Sequence, residues 1–490
     1  MKHAVPPYAL LALAALAVPA AATDYHVGPG QPLAAIGDVP WESLAAGDRV
    51  YIHWRAAPYK EKWVINAAGT AAQPILVSGV LGPNGERPVI DGRDATTRVA
   101  LDFWNEVRGI IKVGGSNVPP DGLPSFIRIE NLEIRSGRPP FTFTDTDGNT
   151  QTYAENAASI YVEKAANLTV SNCELHDSGN GLFSGAFDGQ TQNLLIERNY
   201  IHSNGNDSSA FHHNTYTSAI GIVYQYNRFG PLSPVADGNN LKDRSAGLVV
   251  RYNWIEGGNR QLDLVEAGES EVSGHPSYAT THVYGNVLIE PDGDGNSQIA
   301  HYGGDGGDTS QYRKGTLHFY NNTMVSNRST NTTLLRLSTN DESADVRNNI
   351  LYVSAPGNRL AMLNAAGDLT LRNNWTKPGW VDSHGTLTGT IDDDGSGVTG
   401  PDPGFVDEAG EDFHLDSDAD SVDQATDLHP DVLPDHPLTL QYVKHLLDEP
   451  RPVQGPRDIG AFEFCSTACT PIFSDGFESG DTSAWTTTVP

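Results

Sequence analysis

The stretch that decides the fold runs from Asn193 to Asp305. It reads NLLIERNYIHSNGNDSSAFHHNTYTS from Asn193, GIVYQYNRFGPLSPVADGNNLKDRSA from Gly221, GLVVRYNWIEGGNRQLDLVEAG from Gly247 and THVYGNVLIEPDGDGNSQIAHYGGD from Thr281. Each unit opens with alternating β-formers, reaches an asparagine and continues through three or four apolar or aromatic positions. It then passes a turn rich in Gly, Asp and Asn, and a second short strand begins. The marker asparagines are Asn199, Asn227, Asn253 and Asn286, and the same mark recurs at Asn131, Asn172, Asn322, Asn349 and Asn374. A repeat of this length written in strands predicts a β-solenoid over residues 130–375, each coil burying its inner face against the next. Coils then stack about 4.8 Å apart, and the asparagines are expected to form an internal amide ladder at a bend.

Composition agrees. Of 490 residues, 50 are glycine and 31 proline, as in a turn-rich all-β chain. Residues 1–22 carry a basic head, the apolar run ALLALAALAV and three alanines, which predicts a signal peptide and a secreted protein. That run is too short to span a bilayer and no other approaches the length, so no integral membrane segment is expected in the mature chain. Three cysteines are too few for a disulfide framework; Cys465 and Cys469 are spaced to pair locally, and Cys173 reads as a buried small hydrophobe. The net charge of -30 argues against nucleic acid and anionic membranes as partners.

Outside the repeats, the chain opens with YHVGPG (Tyr25 to Gly30), AAGDRVYI, PYKEKWVI, PILVSG and PVIDG. It closes with DPGFVDEAGEDFHLDSDADSVDQA and RPVQGPRDIGAFEF. These segments resemble the first coils and the closing segment of secreted right-handed parallel β-helix proteins, a group that includes pectate lyases, alginate lyases and chondroitinase B. The resemblance implies one elongated β-helix domain over 23–464, expected to be monomeric, with the amphipathic piece Pro32 to Leu44 capping its open end. Ser136 to Ser159 is a long departure, either decoration or the wall of a groove. Residues 465–490 read as a sorting or attachment tail.

Stacking the second strands of the central coils gathers cations on an acidic molecule. His213, Tyr216, Lys242, Arg244 and His301 fall at similar offsets from their markers, and alternation turns Leu241 and Asp243 inward and Lys242 and Arg244 outward. Such a patch suits an anionic polysaccharide. In β-elimination the proton beside a uronate carboxylate becomes removable only when that carboxylate is neutralised. A base then takes the proton and an acid protonates the departing glycosidic oxygen. Lys242 is the expected base, its pKa lowered by Arg244 and Arg251. Tyr216 or His213 is the acid, with the roles open to exchange. Arg244 holds the carboxylate by its planar fork, and Arg251, Arg260, His301, Tyr302 and Arg336 are the expected further contacts to the glycan.

The resemblance to chondroitinase B and the related alginate lyases makes Lys242 similar to their basic lysine and implies Ca2+ held by Asp237, Asn239 and Asn214. Here only one of the residues preceding the lysine is a carboxylate, and the next coil supplies Asp263 and Glu266 where an arginine is expected. The acidic turns PDGDGN, GGDGGD (Asp305, Asp308) and DDDGSG read as solvated turns. Two other classes stay open: a polygalacturonase-type hydrolase using Asp263, Glu266 and Asp243, and a non-catalytic adhesin or glycan-binding solenoid. An epimerase shares the lyase chemistry.

Overall fold

The computed structural model describes residues 22–466. The expected leader, apart from its last residue, and nearly all of the tail, Cys469 included, lie outside the described residues. Cys465 is disulfide-bonded, and Cys173 is a free, fully buried thiol.

Three long sheets run the length of the molecule, two of 13 strands and one of 11, and consecutive coils pair in parallel. The fold is the right-handed parallel β-helix, the hand expected of parallel crossovers. In a typical coil a strand such as Ala246–Arg251 belongs to the back sheet. A sharp corner follows, then a short strand (Trp254–Glu256) in the 11-stranded sheet, then a front-sheet strand (Leu262–Leu264). Val250, Ile255, Leu262 and Leu264 from these three walls are all completely buried in one continuous core.

The corner explains the markers. Asn199, Asn227, Asn253, Asn286, Asn322, Asn349 and Asn374 form an unbroken ladder, each Nδ2 before Asn374 donating to the next Oδ1 at 2.9–3.1 Å. Each Oδ1 from Asn227 onward also accepts the backbone N–H of the marker before it, at 2.8–3.0 Å. Asn131 and Asn172 differ. They sit at φ 60° and 49°, one residue ahead of the ladder, in the left-handed position that Tyr226, Tyr252, Asn321 and Asn348 fill in later coils. Leu132 and Cys173 take their places in the stack, both fully buried. Asparagine suits both corner positions, one for its amide and the other for its tolerance of positive φ, so its presence alone does not fix the register.

The N-terminal cap is two single 3-10 turns, Ile36–Asp38 and Trp41–Ser43, which bury Trp41 against Trp63 with ring centroids 5.3 Å apart. The departure at 136–159 forms an antiparallel hairpin, Thr142–Thr144 with Thr150–Thr152, that extends the N-terminal end of the front sheet beyond Ala95–Thr97. It is remote from the Lys242 coil. The closing segment does not cap the far end; it doubles back along the flank. Asp458 and Gly460 pair with the corners at Asn321 and Asn348, and Asp448 bonds Arg198 at 2.5 Å. This return covers Tyr226, Tyr252, Tyr284 and Tyr320 with Leu428, Val432 and Leu438, aromatic surface that the corners would otherwise leave wet.

Candidate functional site

Register-matched pairing lines up one outward residue per coil on the front sheet. Tyr161 pairs with Phe183, Phe183 with Tyr216, Tyr216 with Lys242, Lys242 with Asp263, Asp263 with His301 and His301 with Arg336. Their sequence neighbours Leu241, Asp243, Leu262, Leu264, Tyr302, Leu335 and Leu337 point into the core. Tyr302 is therefore a core residue and cannot touch a glycan. Counting from the markers puts Tyr216 level with Arg244; the register pairs it with Lys242, because the loops between marker and strand differ in length.

Around Lys242 the expected cations are matched by carboxylates. Its ammonium donates to Asp263 Oδ2 at 2.5 Å and to Asp305 Oδ2 at 2.6 Å. Asp263 is the hub: it also accepts from Asn239 Nδ2 and His301 Nδ1, both at 2.8 Å, and lies 3.7 Å from Arg260. Burial opposes ionisation of Asp263, yet the His301 hydrogen bond and the Lys242 charge hold its carboxyl well below the usual range. His301 gives Nδ1–H to Asp263 and accepts from the Ser338 hydroxyl at Nε2, so both ring nitrogens are occupied. Arg251, expected beside Lys242, ends a back-sheet strand and bonds Gln225 and Tyr284. It does not reach the site.

Arg244 is the second hub. Its Nε–H donates to Tyr216 Oη at 3.0 Å, Nη1 to the Glu266 carbonyl at 2.5 Å and Nη2 to Asp305 Oδ1 at 3.0 Å. Burial works against its charge, but Tyr216 and Asp305 raise its pKa and keep it cationic. His213 stands edge-on to the Tyr216 ring at 5.4 Å. Its Nδ1 accepts the Asn239 backbone N–H, which places the ring proton on Nε2. Burial, with Lys242 adding, pushes His213 down to about 3, so it is neutral.

Sequence reasoning missed Asp305. The GGDGGD turn does more than sit in solvent: Glu266 accepts the N–H groups of Asp305 and Gly306 at 2.8 and 2.5 Å and folds the turn back over Lys242 and Arg244. Its signal was the position, three residues past the strand that carries His301. Also missed were the aromatics on earlier coils, Tyr161 stacked on Phe183 at 5.1 Å with the Arg108 guanidinium 4.6 Å from both rings. Arg260 donates twice to Gln298, while the side chain of Arg336, next along the column from His301, has no hydrogen bond or ion pair among the described residues.

The three expected calcium ligands do not gather. Asn214 is fully buried in a second amide ladder, accepting from Asn204 at 2.9 Å and donating to Asn240 at 2.8 Å. Asp237 is exposed on a loop. Only Asn239 has an unpartnered buried oxygen, and calcium requires six or more. These residues do not fit the ion. Asp243 points inward, as alternation requires, and meets the buried Arg313 at 3.3 Å.

No family model and no curated protein matches the chain. Among solved structures it is similar to pectate lyase Pel9A at 12% identity, covering 90% of this chain and 96% of that one with a TM-score of 0.49. It is also similar to an alginate lyase from Paenibacillus sp. str. FPU-7 (14% identity, 67% and 92% covered, TM-score 0.42). A third similar structure is the tailspike protein of E. coli bacteriophage HK620 (13% identity, 73% and 59% covered, TM-score 0.44).

Proposed function

We propose that the protein cleaves a uronate-containing polysaccharide by β-elimination, with the chain lying along the front-sheet column. The observation that carries this reading is the Arg244 to Tyr216 hydrogen bond beside the Lys242 ammonium: a phenol, the group of proton-transfer chemistry, held between two fixed cations. Lys242 and Arg244 neutralise the carboxylate of the sugar being cleaved. Tyr216, as phenolate, removes the proton on the carbon next to that carboxylate; the carbon–carbon double bond forms as the glycosidic carbon–oxygen bond breaks. The Tyr216 hydroxyl then returns the proton to the departing oxygen. Lys242 acts here as a charge, since two of its hydrogens are given to carboxylates.

Arg260 and Arg336 lie further along the column, Arg336 three coils or about 14 Å from Lys242, where carboxylates of later sugars would fall. On the other side the half-buried Phe183 is the aromatic a sugar ring can meet, while Tyr161, stacked on it, is buried. Hydrolysis is less well served. Asp263 is bound by three hydrogen bonds and Glu266 by the Asp305 turn, so neither of these two carboxylates is free to activate water.

The test is a panel of alginate, pectate, chondroitin sulfate, hyaluronan and glucuronan, followed by the ultraviolet absorbance of the unsaturated uronate. Absorbance rising with one or more of them is expected. New reducing ends without absorbance would move the activity to hydrolysis. Binding with neither signal would make the protein a glycan-binding solenoid.

A further inference from the structure

On the opposite wall the back sheet presents its own outward column, in which register pairing places His282 level with His318 and His318 level with Asp345. The returning C-terminal segment lies over it and adds His429 and His436. The four imidazoles are in contact: His282 stacks on His436 at 3.7 Å and on His318 at 5.3 Å, and His318 meets His429 at 5.2 Å between ring centroids. Buried imidazole nitrogens are ordinarily hydrogen-bonded, yet Nδ1 of His282, of His318 and of His436 are all buried without a partner. His318 itself is only 2% exposed.

One carboxylate completes the group. Ligand atoms of His318, His429 and Asp431 all lie within 4.8 Å of one another. His429 Nδ1 accepts the Asp431 backbone N–H at 3.2 Å, which holds the short turn Pro430–Val432 over His318; a neutral imidazole has one lone-pair nitrogen, so this long contact is given up when the ring ligates an ion. Val432, Leu428 and Leu438 are buried against the corner tyrosines, so the turn is anchored independently of any ligand. The other nearby charges are spoken for. Asp345 takes two hydrogen bonds from Arg347, and Arg347 also donates to the Asp427 carbonyl.

We propose that His318, His429 and Asp431 bind one divalent transition-metal ion of the zinc class, which clips the returning C-terminal segment to the solenoid. Two imidazoles and a carboxylate are the donors such an ion prefers, whereas calcium selects oxygen alone. Three protein ligands leave a fourth position for water. The role is structural: the ion joins the strand Gly315–Tyr320 to a turn more than a hundred residues later.

The experiment uses untagged protein, stripped by chelator and dialysed, then titrated with zinc chloride by calorimetry while thermal unfolding is followed at each ratio. One equivalent should bind and Tm should rise with zinc, while calcium chloride leaves Tm unchanged. Cobalt(II) in place of zinc should develop visible absorption. His429→Ala and Asp431→Ala alter a surface turn and should melt like the stripped wild type in chelator while losing the zinc response. The proposal is overturned if the wild type takes up no stoichiometric zinc, or if both variants bind zinc as the wild type does.

Discussion

Replacing Tyr216 with Phe removes one oxygen and little else, so it separates chemistry from architecture. The ring stays edge-on to Phe183 at 5.6 Å and to His213 at 5.4 Å. The lost contact is the 3.0 Å bond from Arg244 Nε, and Arg244 keeps its bonds to the Glu266 carbonyl and to Asp305. A single hydrogen bond to a charged donor at a partly exposed position contributes about 1–2 kcal/mol. In a chain this long that should move Tm by about 2 °C or less. If the hydroxyl carries the proton, turnover should fall by about 10²-fold to 10⁴-fold with oligosaccharide affinity nearly unchanged. Lys242→Ala, by contrast, leaves Asp263 and Asp305 facing the groove without their shared ammonium, so the bound uronate meets repulsion and both affinity and turnover should collapse. Lys60→Ala, at an exposed lysine paired with Asp94, is the control. The assay is initial rate by uronate absorbance beside oligosaccharide binding by calorimetry. Wild-type turnover in Tyr216→Phe would refute the proton-carrier role. If Lys242→Ala then bound substrate normally and lost turnover alone, the base would be Lys242.

Four further outcomes follow from the same geometry. Asn253→Ala should lower stability in urea by about 3 kcal/mol or more, because it leaves the buried N–H and Nδ2 groups of Asn227 without their acceptor; Asn131→Ala, outside the ladder, should cost much less. Arg313→Met should cost about 3–5 kcal/mol by stranding the charge of Asp243, and adding Asp243→Asn should recover most of the loss in the same urea titration. His213 is neutral in the fold, with its pKa at about 3, but takes a proton in the unfolded chain near 6.5. Its contribution is therefore whole above pH 6.5 and drains as pH falls toward 3. Between pH 6.5 and 5 the wild type should lose about 2 kcal/mol more than His213→Asn. Asp263 is depressed, so its contribution is whole above the ordinary Asp value and begins to drain only below it, in a separate and lower window. Turnover should survive chelation of calcium, as measured by initial rates before and after dialysis; loss restored by added calcium would reinstate the expected cofactor.

The sequence by itself determined the architecture. A solenoid repeats one local solution, so the alternation in residues such as Leu248 to Val250, the asparagine at each corner and the turn that follows are legible a coil at a time. The inward parity of Asp243 and the outward parity of Lys242 followed from strand geometry alone. Tertiary structure decided everything that depends on which coil lies beside which, and by how many residues the loops between them differ. Loop length is invisible to periodicity, so Tyr216 could be set level with Arg244 when it lies level with Lys242, and Asn131 and Asn172 could be counted into a ladder they precede by one position. Arg251 and Tyr302 looked like neighbours of the site because they are near in sequence; one lies on another wall and the other faces the core. Asp305 reaches Lys242 across 63 residues, and His429 reaches His318 across a chain reversal that no repeat encodes. In a stacked fold the pattern within a coil is written locally, but a site is built perpendicular to the chain, by contacts whose sequence separations are set by loops free to vary.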